Sequence, residues 1–131
     1  MDVDDVRGWV DRYLDAFAMC VRGDAAPQEL LEFYGVPIVL TMDAGARVLE
    51  DDDAVIGALA RQTEGLRAAG YDRSETLDSE TAILSATTAL HTAAFSRVRA
   101  DGSEINRLRA TYLIVDGPQG RRMSALVVHG G

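Results

Sequence analysis

The segment from Leu90 to Val115 sets two strand-like runs on either side of Asp101-Gly102, and this hairpin constrains the fold more than any other feature. Asp-Gly between two alternating runs is the strongest short-range signal for a two-residue hairpin turn. Such a turn fixes the pairing register and would set His91 opposite Tyr112. The sequence therefore predicts a long antiparallel strand pair around which the rest of the chain is arranged.

Alternation divides the predicted hairpin into two faces of mixed polarity. One face carries Leu90, Thr92, Ala94, Ser96, Val98, Ile105, Arg107, Arg109, Thr111 and Leu113. The other carries His91, Ala93, Phe95, Arg97, Arg99, Glu104, Asn106, Leu108, Ala110 and Tyr112. Because neither face is purely polar or apolar, we expect both to be partly covered.

The remaining elements follow from hydrophobic periodicity and from capping residues. Helices are predicted over Val3–Val21, from Pro27 to Gly35 and from Asp51 to Ala69. Strands are predicted over Val36–Met42, weakly over Arg47–Leu49, over Ser74–Leu84, in the hairpin and over Arg122–His129. Strict alternation of strands and helices is absent, which excludes a doubly wound parallel sheet. We expect one α+β domain over residues 1–131, in which an antiparallel meander buries one face under helices.

The charge of the chain narrows the possible partners. With 21 acidic and 13 basic residues the formal net charge is -8, which argues against a nucleic-acid partner or an anionic membrane surface. No signal-like segment and no apolar run of about 18 residues is present, so we expect a soluble, cytoplasmic protein. All basic residues are arginines, which excludes Schiff-base and P-loop lysine chemistry.

Metal and thiol chemistry have little support in the sequence. The two histidines lie far apart and do not form a metal-ligand spacing, so we expect neither a metal nor a cofactor. The single cysteine, Cys20, lies on the apolar side of the first helix, where a buried inert thiol is the simplest interpretation.

Four stretches in this order of elements resemble the NTF2-like superfamily: WVDRYLDAF, FYGVPIVLTMD, RADGSEINRLRATYLIVDGPQGRR and SALVVH. The chain looks closest to the SnoaL-like and ketosteroid-isomerase-like branch and to small bacterial members. The resemblance covers nearly the whole chain and implies a cystatin-like fold, with a curved mixed sheet wrapped around three helices and enclosing a cone-shaped pocket. It also implies a small-molecule ligand and frequent dimerisation through the outside of the sheet. It does not select one function, because the superfamily includes both enzymes and noncatalytic modules.

Ketosteroid isomerases use a general-base Asp together with a Tyr and a protonated Asp as oxyanion donors. The resemblance carries the Tyr to Tyr13 and the base to Asp43, whereas the protonated acid falls on Thr111. A threonine hydroxyl does not replace a carboxylic acid, which counts against steroid isomerisation. Asp43 also precedes Ala-Gly, which is ordinary turn chemistry. The Asp/Arg/Asp site of limonene epoxide hydrolases is matched only by Arg107 and Arg109.

The resemblance suggests that the hairpin face with small residues lines the pocket, where it leaves room for Arg107 and Arg109 and favours an anionic or carbonyl-bearing ligand. Arg109 would then stabilise negative charge while Asp43 or His129 moves a proton. The predicted catalytic residues are Asp43, Arg109 and His129, and the predicted pocket-lining residues are Trp9, Tyr13, Thr41, Thr92, Ser96, Arg107 and Thr111. In the alternative interpretation these arginines pair with acidic residues and His129 is an exposed residue near the chain end.

Two hypotheses of different classes remain open at this point. The first is binding of a small organic molecule, with or without cofactor-free isomerase or cyclase chemistry at a polarised carbonyl. The second is a noncatalytic homodimeric binding or assembly module, whose outer sheet face would be formed by Phe95, Leu108 and Tyr112.

Overall fold

A computed structural model describes residues 1–130. In chain order the elements are α1 (Val3–Arg22), a 3-10 helix (Pro27–Phe33), β1 (Tyr34–Met42), β2 (Gly45–Leu49), α2 (Asp52–Ala68), β3 (Tyr71–Ile83), β4 (Thr88–Arg99), β5 (Glu104–Gly117) and β6 (Gly120–Gly130). The α+β class and the element order predicted from the sequence are confirmed.

The two α-helices begin at the predicted N-cap residues, and α1 ends at the predicted glycine. The side chains of Asp2 and Asp51 accept hydrogen bonds from the amides of Asp5 and Ala54, each at 2.8 Å, and so begin α1 and α2. Gly23 ends α1 with a φ of 85°, a left-handed conformation that glycine adopts without strain.

The six strands form one curved mixed sheet in the order β2-β1-β6-β5-β4-β3. All neighbours are antiparallel except β1 and β6, which run parallel. Gly35 of β1 lies close to the backbone of β6, since a Cβ there would be 2.9 Å from the carbonyl oxygen of Met123. The sequence predicts Gly35 as the end of a helix; in the structure the 3-10 helix ends two residues earlier and Gly35 belongs to β1.

The β4–β5 hairpin keeps most of the predicted register and departs from it beside the turn. His91 pairs with Tyr112 and Arg97 with Asn106, as expected, but Val98 pairs with Glu104 instead of Ile105. The amide of Gly102 donates to the carbonyl of Arg99 at 2.9 Å and Gly102 has a φ of 87°. A three-residue loop followed by a bulge at Ile105 therefore replaces the predicted two-residue turn.

The helices cover one face of the sheet, which we call the inner face; its opposite is the outer face. Aromatic rings hold the inner face to α1: Tyr13 packs edge-on against Tyr112 at 6.1 Å between centroids, and Phe17 against Tyr71 at 6.2 Å. The inner-face residues of the central strands are His91, Ala93, Phe95, Arg97, Leu108, Ala110, Tyr112, Leu126 and Val128.

Arginine side chains fasten the helix ends. Arg67 of α2 donates from Nε to the carbonyl of Val21 at 2.6 Å, and Arg99 of β4 donates from Nε to that of Ala69 at 2.9 Å. These bonds satisfy carbonyl groups that a helix C-terminus leaves without partners. They hold α2 beside α1 and above the inner face.

Candidate functional site

The curved sheet and α2 enclose an apolar cavity of about 210 Å³, which we call the apolar compartment. Its wall is formed mainly by aliphatic side chains of α2, β1 and β6: Ile38, Leu40, Val55, Leu59, Leu126 and Val128. Two arginines, Arg47 and Arg61, are exposed and lie at its margin. Ligand sites are commonly concave, largely apolar and furnished with a few polar groups, and this cavity has that composition.

A second space of about 40 Å³, the polar compartment, adjoins the first. The two compartments share Gln62, Leu126 and Val128 as lining residues. The polar compartment lies between α1 and the inner face of β4 and β5, and its polar lining residues are Tyr13, Gln62, Ser74, Arg97 and Tyr112. We call the two compartments together the inner cavity.

Arg97 is the charged group of the polar compartment. Its position in β4, opposite Ser74 of β3 and Asn106 of β5, directs the side chain to the same face as Phe95. Among residues 1–130 no hydrogen bond or ion pair reaches its guanidinium; the ionisable groups around it are Tyr71, Tyr13 and Tyr112. Burial lowers the pKa of Arg97, although an arginine stays charged at neutral pH.

Tyrosine hydroxyls surround this arginine. The hydroxyls of Tyr13 and Tyr34 are 2.6 Å apart, and that of Tyr71 lies 2.9 Å from the Ser74 hydroxyl. Tyr112 is 4% exposed, and in the described part of the chain its hydroxyl has no bonding partner. Burial raises the pKa of Tyr13 and of Tyr112, so both remain protonated hydrogen-bond donors at neutral pH.

The predicted pocket face is the outer face, so the prediction that Thr92, Ser96, Arg107, Arg109, Thr111 and His129 line the cavity is wrong as to their placement. These side chains bond to one another and to β3: Arg107 donates to Glu104 at 2.8 Å, Arg109 to Asp78 at 3.4 Å, and Thr111 lies 3.0 Å from Thr92 and 3.3 Å from His129. Thr41 pairs with Val127 on the same outer face.

The physical reason for this reversal is that the face with the aromatic rings, and not the face with the small residues, packs against α1, while the bulge at Ile105 changes the face of Glu104. A two-residue turn would put Glu104 on the face of Phe95 and make that face look charged. In the structure Glu104 accepts a hydrogen bond from Ser96 at 2.5 Å and so belongs to the outer face. The face that remains carries the aromatic rings, whose burial against α1 removes the larger apolar area from water.

The same reversal moves the residues that were predicted to form a dimer interface. Phe95, Leu108 and Tyr112 are 3%, 9% and 4% exposed and face the helices, so the prediction that they form an outer surface is wrong. His91 lies with them, buried, and its Nδ1 is 2.7 Å from the Thr81 hydroxyl.

The remaining predicted residues separate into three environments. Tyr13 lines the polar compartment, as the resemblance suggests. Trp9 packs edge-on against Phe33 at 5.5 Å and belongs to the core instead of the cavity wall. Asp43 is exposed in the turn between β1 and β2 and is not a lining residue of either compartment. Arg109 and His129 are direct strand partners on the outer face, whereas Asp43 follows β1 in the turn, and none of the three lines either compartment.

Sequence reasoning missed Arg97, Tyr34 and Gln62 as cavity residues. The signal for Arg97 was present, because alternation puts it on the face of Phe95 and Tyr112. Nothing comparable in the sequence identifies Gln62, which lines both compartments from α2. Cys20 is buried, as predicted, and its thiol lies 3.3 Å from the carbonyl of Ala26, where burial raises its pKa.

The curved sheet, the covering helices and the cavity between them define an α+β protein of cystatin-like architecture. A family model described as "NTF2-like protein (DUF6841)" matches residues 4–131, and the chain belongs to this NTF2-like family. The superfamily resemblance seen in the sequence is therefore confirmed. No curated protein matches the chain.

Solved structures share this fold at low sequence identity. An NTF2-like protein from Novosphingobium aromaticivorans superimposes with a TM-score of 0.73 and 14% identity, covering 98% of this chain and 80% of that one. Yeast UBP3-associated protein BRE5 gives 0.71 and 13%, covering 98% and 95%. Aln2 from a Streptomyces species gives 0.68 and 14%, covering 99% and 94%. These similarities show the fold alone.

Two features are absent from residues 1–130, the part of the chain that the structure describes. No helix in that range is long and apolar enough to cross a membrane. His, Cys, Asp and Glu side chains in the same range do not gather into groups of three or more that could hold a metal ion.

Proposed function

We propose that the protein binds a small organic molecule in the inner cavity. The observation that carries this proposal is the junction of an apolar compartment of about 210 Å³ with a polar one in which Arg97 and Tyr112 keep unused hydrogen-bonding capacity. An apolar cavity of about 150 Å³ is enough to bind benzene, so the apolar compartment can hold at least one ring.

Cofactor-free chemistry at a polarised carbonyl is a narrower form of this proposal. Arg97 and Tyr112 are suited to stabilising an oxyanion, because both present hydrogen-bond donors to the polar compartment. Isomerisation or cyclisation also needs a proton acceptor, and the residues lining the two compartments include no carboxylate and no imidazole. We therefore favour binding over proton transfer.

The test is saturable binding of toluene, followed by the chemical shifts of the Leu59 and Val128 methyl groups. We expect saturable shifts in the wild-type protein and their loss in Ala58→Phe, since Ala58 lines the apolar compartment. Ala68→Phe, at an exposed position of the same helix, is the matched control and should bind as the wild type does. Equal binding by both variants, or none by the wild type, would overturn the proposal.

Pairing of two copies of the chain is a second candidate, which one observation favours. An aliphatic row crosses the outer face through Val39, Ala125, Leu113 and Leu90, residues that are successive strand partners. Val39 and Leu90 are 41% and 36% exposed. We expect light scattering to give twice the chain mass for the wild type and the single mass for Leu90→Glu; a monomeric wild type at high concentration would contradict this candidate.

A further inference from the structure

The charges around the inner cavity differ from those of the molecule as a whole. The chain carries 21 acidic and 13 basic residues, yet the charged residues that line the two compartments are Arg47, Arg61 and Arg97, with no acidic residue among them. A cavity whose charged groups share one sign raises the local concentration of the opposite ion. The cavity is therefore an anion-attracting region in an acidic protein.

Arg97 differs from the arginines that fasten the helix ends in its hydrogen bonding. Arg67 and Arg99 donate to the carbonyls of Val21 and Ala69, and each bond fastens a helix end. The guanidinium of Arg97 reaches no acceptor within residues 1–130 and is surrounded by tyrosines. Because this partly buried guanidinium has no acceptor among those residues and lines the polar compartment, it is free to pair with an anionic group from outside the chain.

The donors around this charge suit a carboxylate. A guanidinium presents parallel N–H groups that match the two oxygens of a carboxylate, and Tyr112 adds a neutral hydroxyl. The polar compartment is small, about 40 Å³, and Arg97 is its single charged lining residue. Arg97 can therefore neutralise one negative charge in this compartment, whereas the second charge of a dianionic group would have no cationic partner there.

We infer that the ligand of the inner cavity is a small amphipathic monoanion, with a compact apolar body in the apolar compartment and a single carboxylate at Arg97. This inference rests on the proposed function and adds the chemical class of the ligand to it. Arg47 and Arg61, which are exposed at the margin, would assist the approach of the anion without fixing it.

The experiment compares phenylacetate, 3-phenylpropanoate and 4-phenylbutanoate with their neutral amides, by calorimetry on the full chain. A charge-assisted hydrogen bond replaces a neutral one in the acid, so for the best chain length we expect the acid to bind at least ~10-fold more tightly than its amide. Arg97→Gln should reduce this ratio to about 1 while changing the affinity for the amide little.

Arg109→Gln is the matched control, because it removes an arginine from the outer face of the neighbouring strand and should keep the wild-type ratio. If Arg97→Gln does not fold, Arg97→Lys keeps the charge without the planar fork and should lower the ratio to an intermediate value.

The failures of the inference and of the proposed function are distinguishable. Toluene or the amides binding as tightly as the acids, or an unchanged ratio in Arg97→Gln, would overturn the monoanion inference and leave cavity binding standing. Absence of saturable binding by all of these probes and by toluene would overturn both.

Discussion

The two faces of the β4–β5 hairpin treat their polar side chains in opposite ways. On the outer face Arg107 and Arg109 bond to Glu104 and Asp78, and Thr111 bridges towards Thr92 and His129. On the inner face Arg97 and Tyr112 have no such partners among the described residues. Arg107 and Arg109 are therefore occupied by acidic partners of the same sheet face, whereas Arg97, which has no such partner and lies beside a cavity, is available to a ligand.

The largest expected effect tests which face is buried. Phe95→Ala removes a ring that is 3% exposed on the inner face, and we expect the free energy of unfolding to fall by about 3–5 kcal/mol. Leu90→Ala, in the same strand on the outer face, should cost no more than about 1 kcal/mol. Chemical denaturation measures both values, and equal losses of stability would contradict the burial of the inner face.

An intermediate effect tests whether Arg97 serves the fold or a ligand. Arg97→Met removes a partly buried charge that has no partner, and we expect the ligand-free protein to become more stable by about 0.5–2 kcal/mol. Arg109→Met breaks an exposed ion pair with Asp78 and should change stability by less than about 1 kcal/mol. Destabilisation by Arg97→Met in urea would show that Arg97 has a structural role.

The smallest expected effect is on the pH dependence of stability and concerns His91. Burial lowers the pKa of His91, with Arg7 of α1 acting in the same direction and Asp11 of α1 opposing it. The unfolded chain then binds more protons than the folded one, so this contribution to stability is complete above an unfolded pKa of about 6.5 and is lost as the pH falls through the lower folded pKa.

We therefore expect the melting temperature of the wild type to fall between about pH 7.5 and pH 5, and to fall less in His91→Asn. Identical slopes in the wild type and in His91→Asn would contradict this role of His91.

The fold was accessible from the sequence because its signals are local. Asp2 and Asp51 cap helices through their own side chains, and Asp101-Gly102 marks the hairpin whatever the neighbouring elements do. Gly35 was misjudged because its requirement is nonlocal: it is a glycine on account of the Met123 carbonyl in a strand far away in the chain.

The site was less accessible because it depends on which face of the hairpin packs against the helices, and a bulge also alters the apparent charge of the two faces. Moving Glu104 by one position transfers it between faces, and the apparent charge of each face changes with it. Alternation along the strands puts Arg97 and Arg109 on opposite faces of the hairpin. Their roles depend on neighbours from β3 and α1, which only the folded chain brings to them. Partner availability is a tertiary property, which periodicity does not encode.

The parallel pairing of β1 with β6 also bears on how the molecule folds. Strands β3 to β6 are joined by short turns and can pair as each is reached, whereas β1 must wait for a strand near the other end of the chain. The apolar compartment, with walls from both strands, would then be completed by the last closure step.

We expect Ile38→Val in β1 to accelerate unfolding and leave the folding rate nearly unchanged, whereas Ile114→Val in β5 should slow folding. A ligand that contacts both β1 and β6 in the apolar compartment would then act mainly by slowing unfolding. Its binding would lengthen the lifetime of the native state.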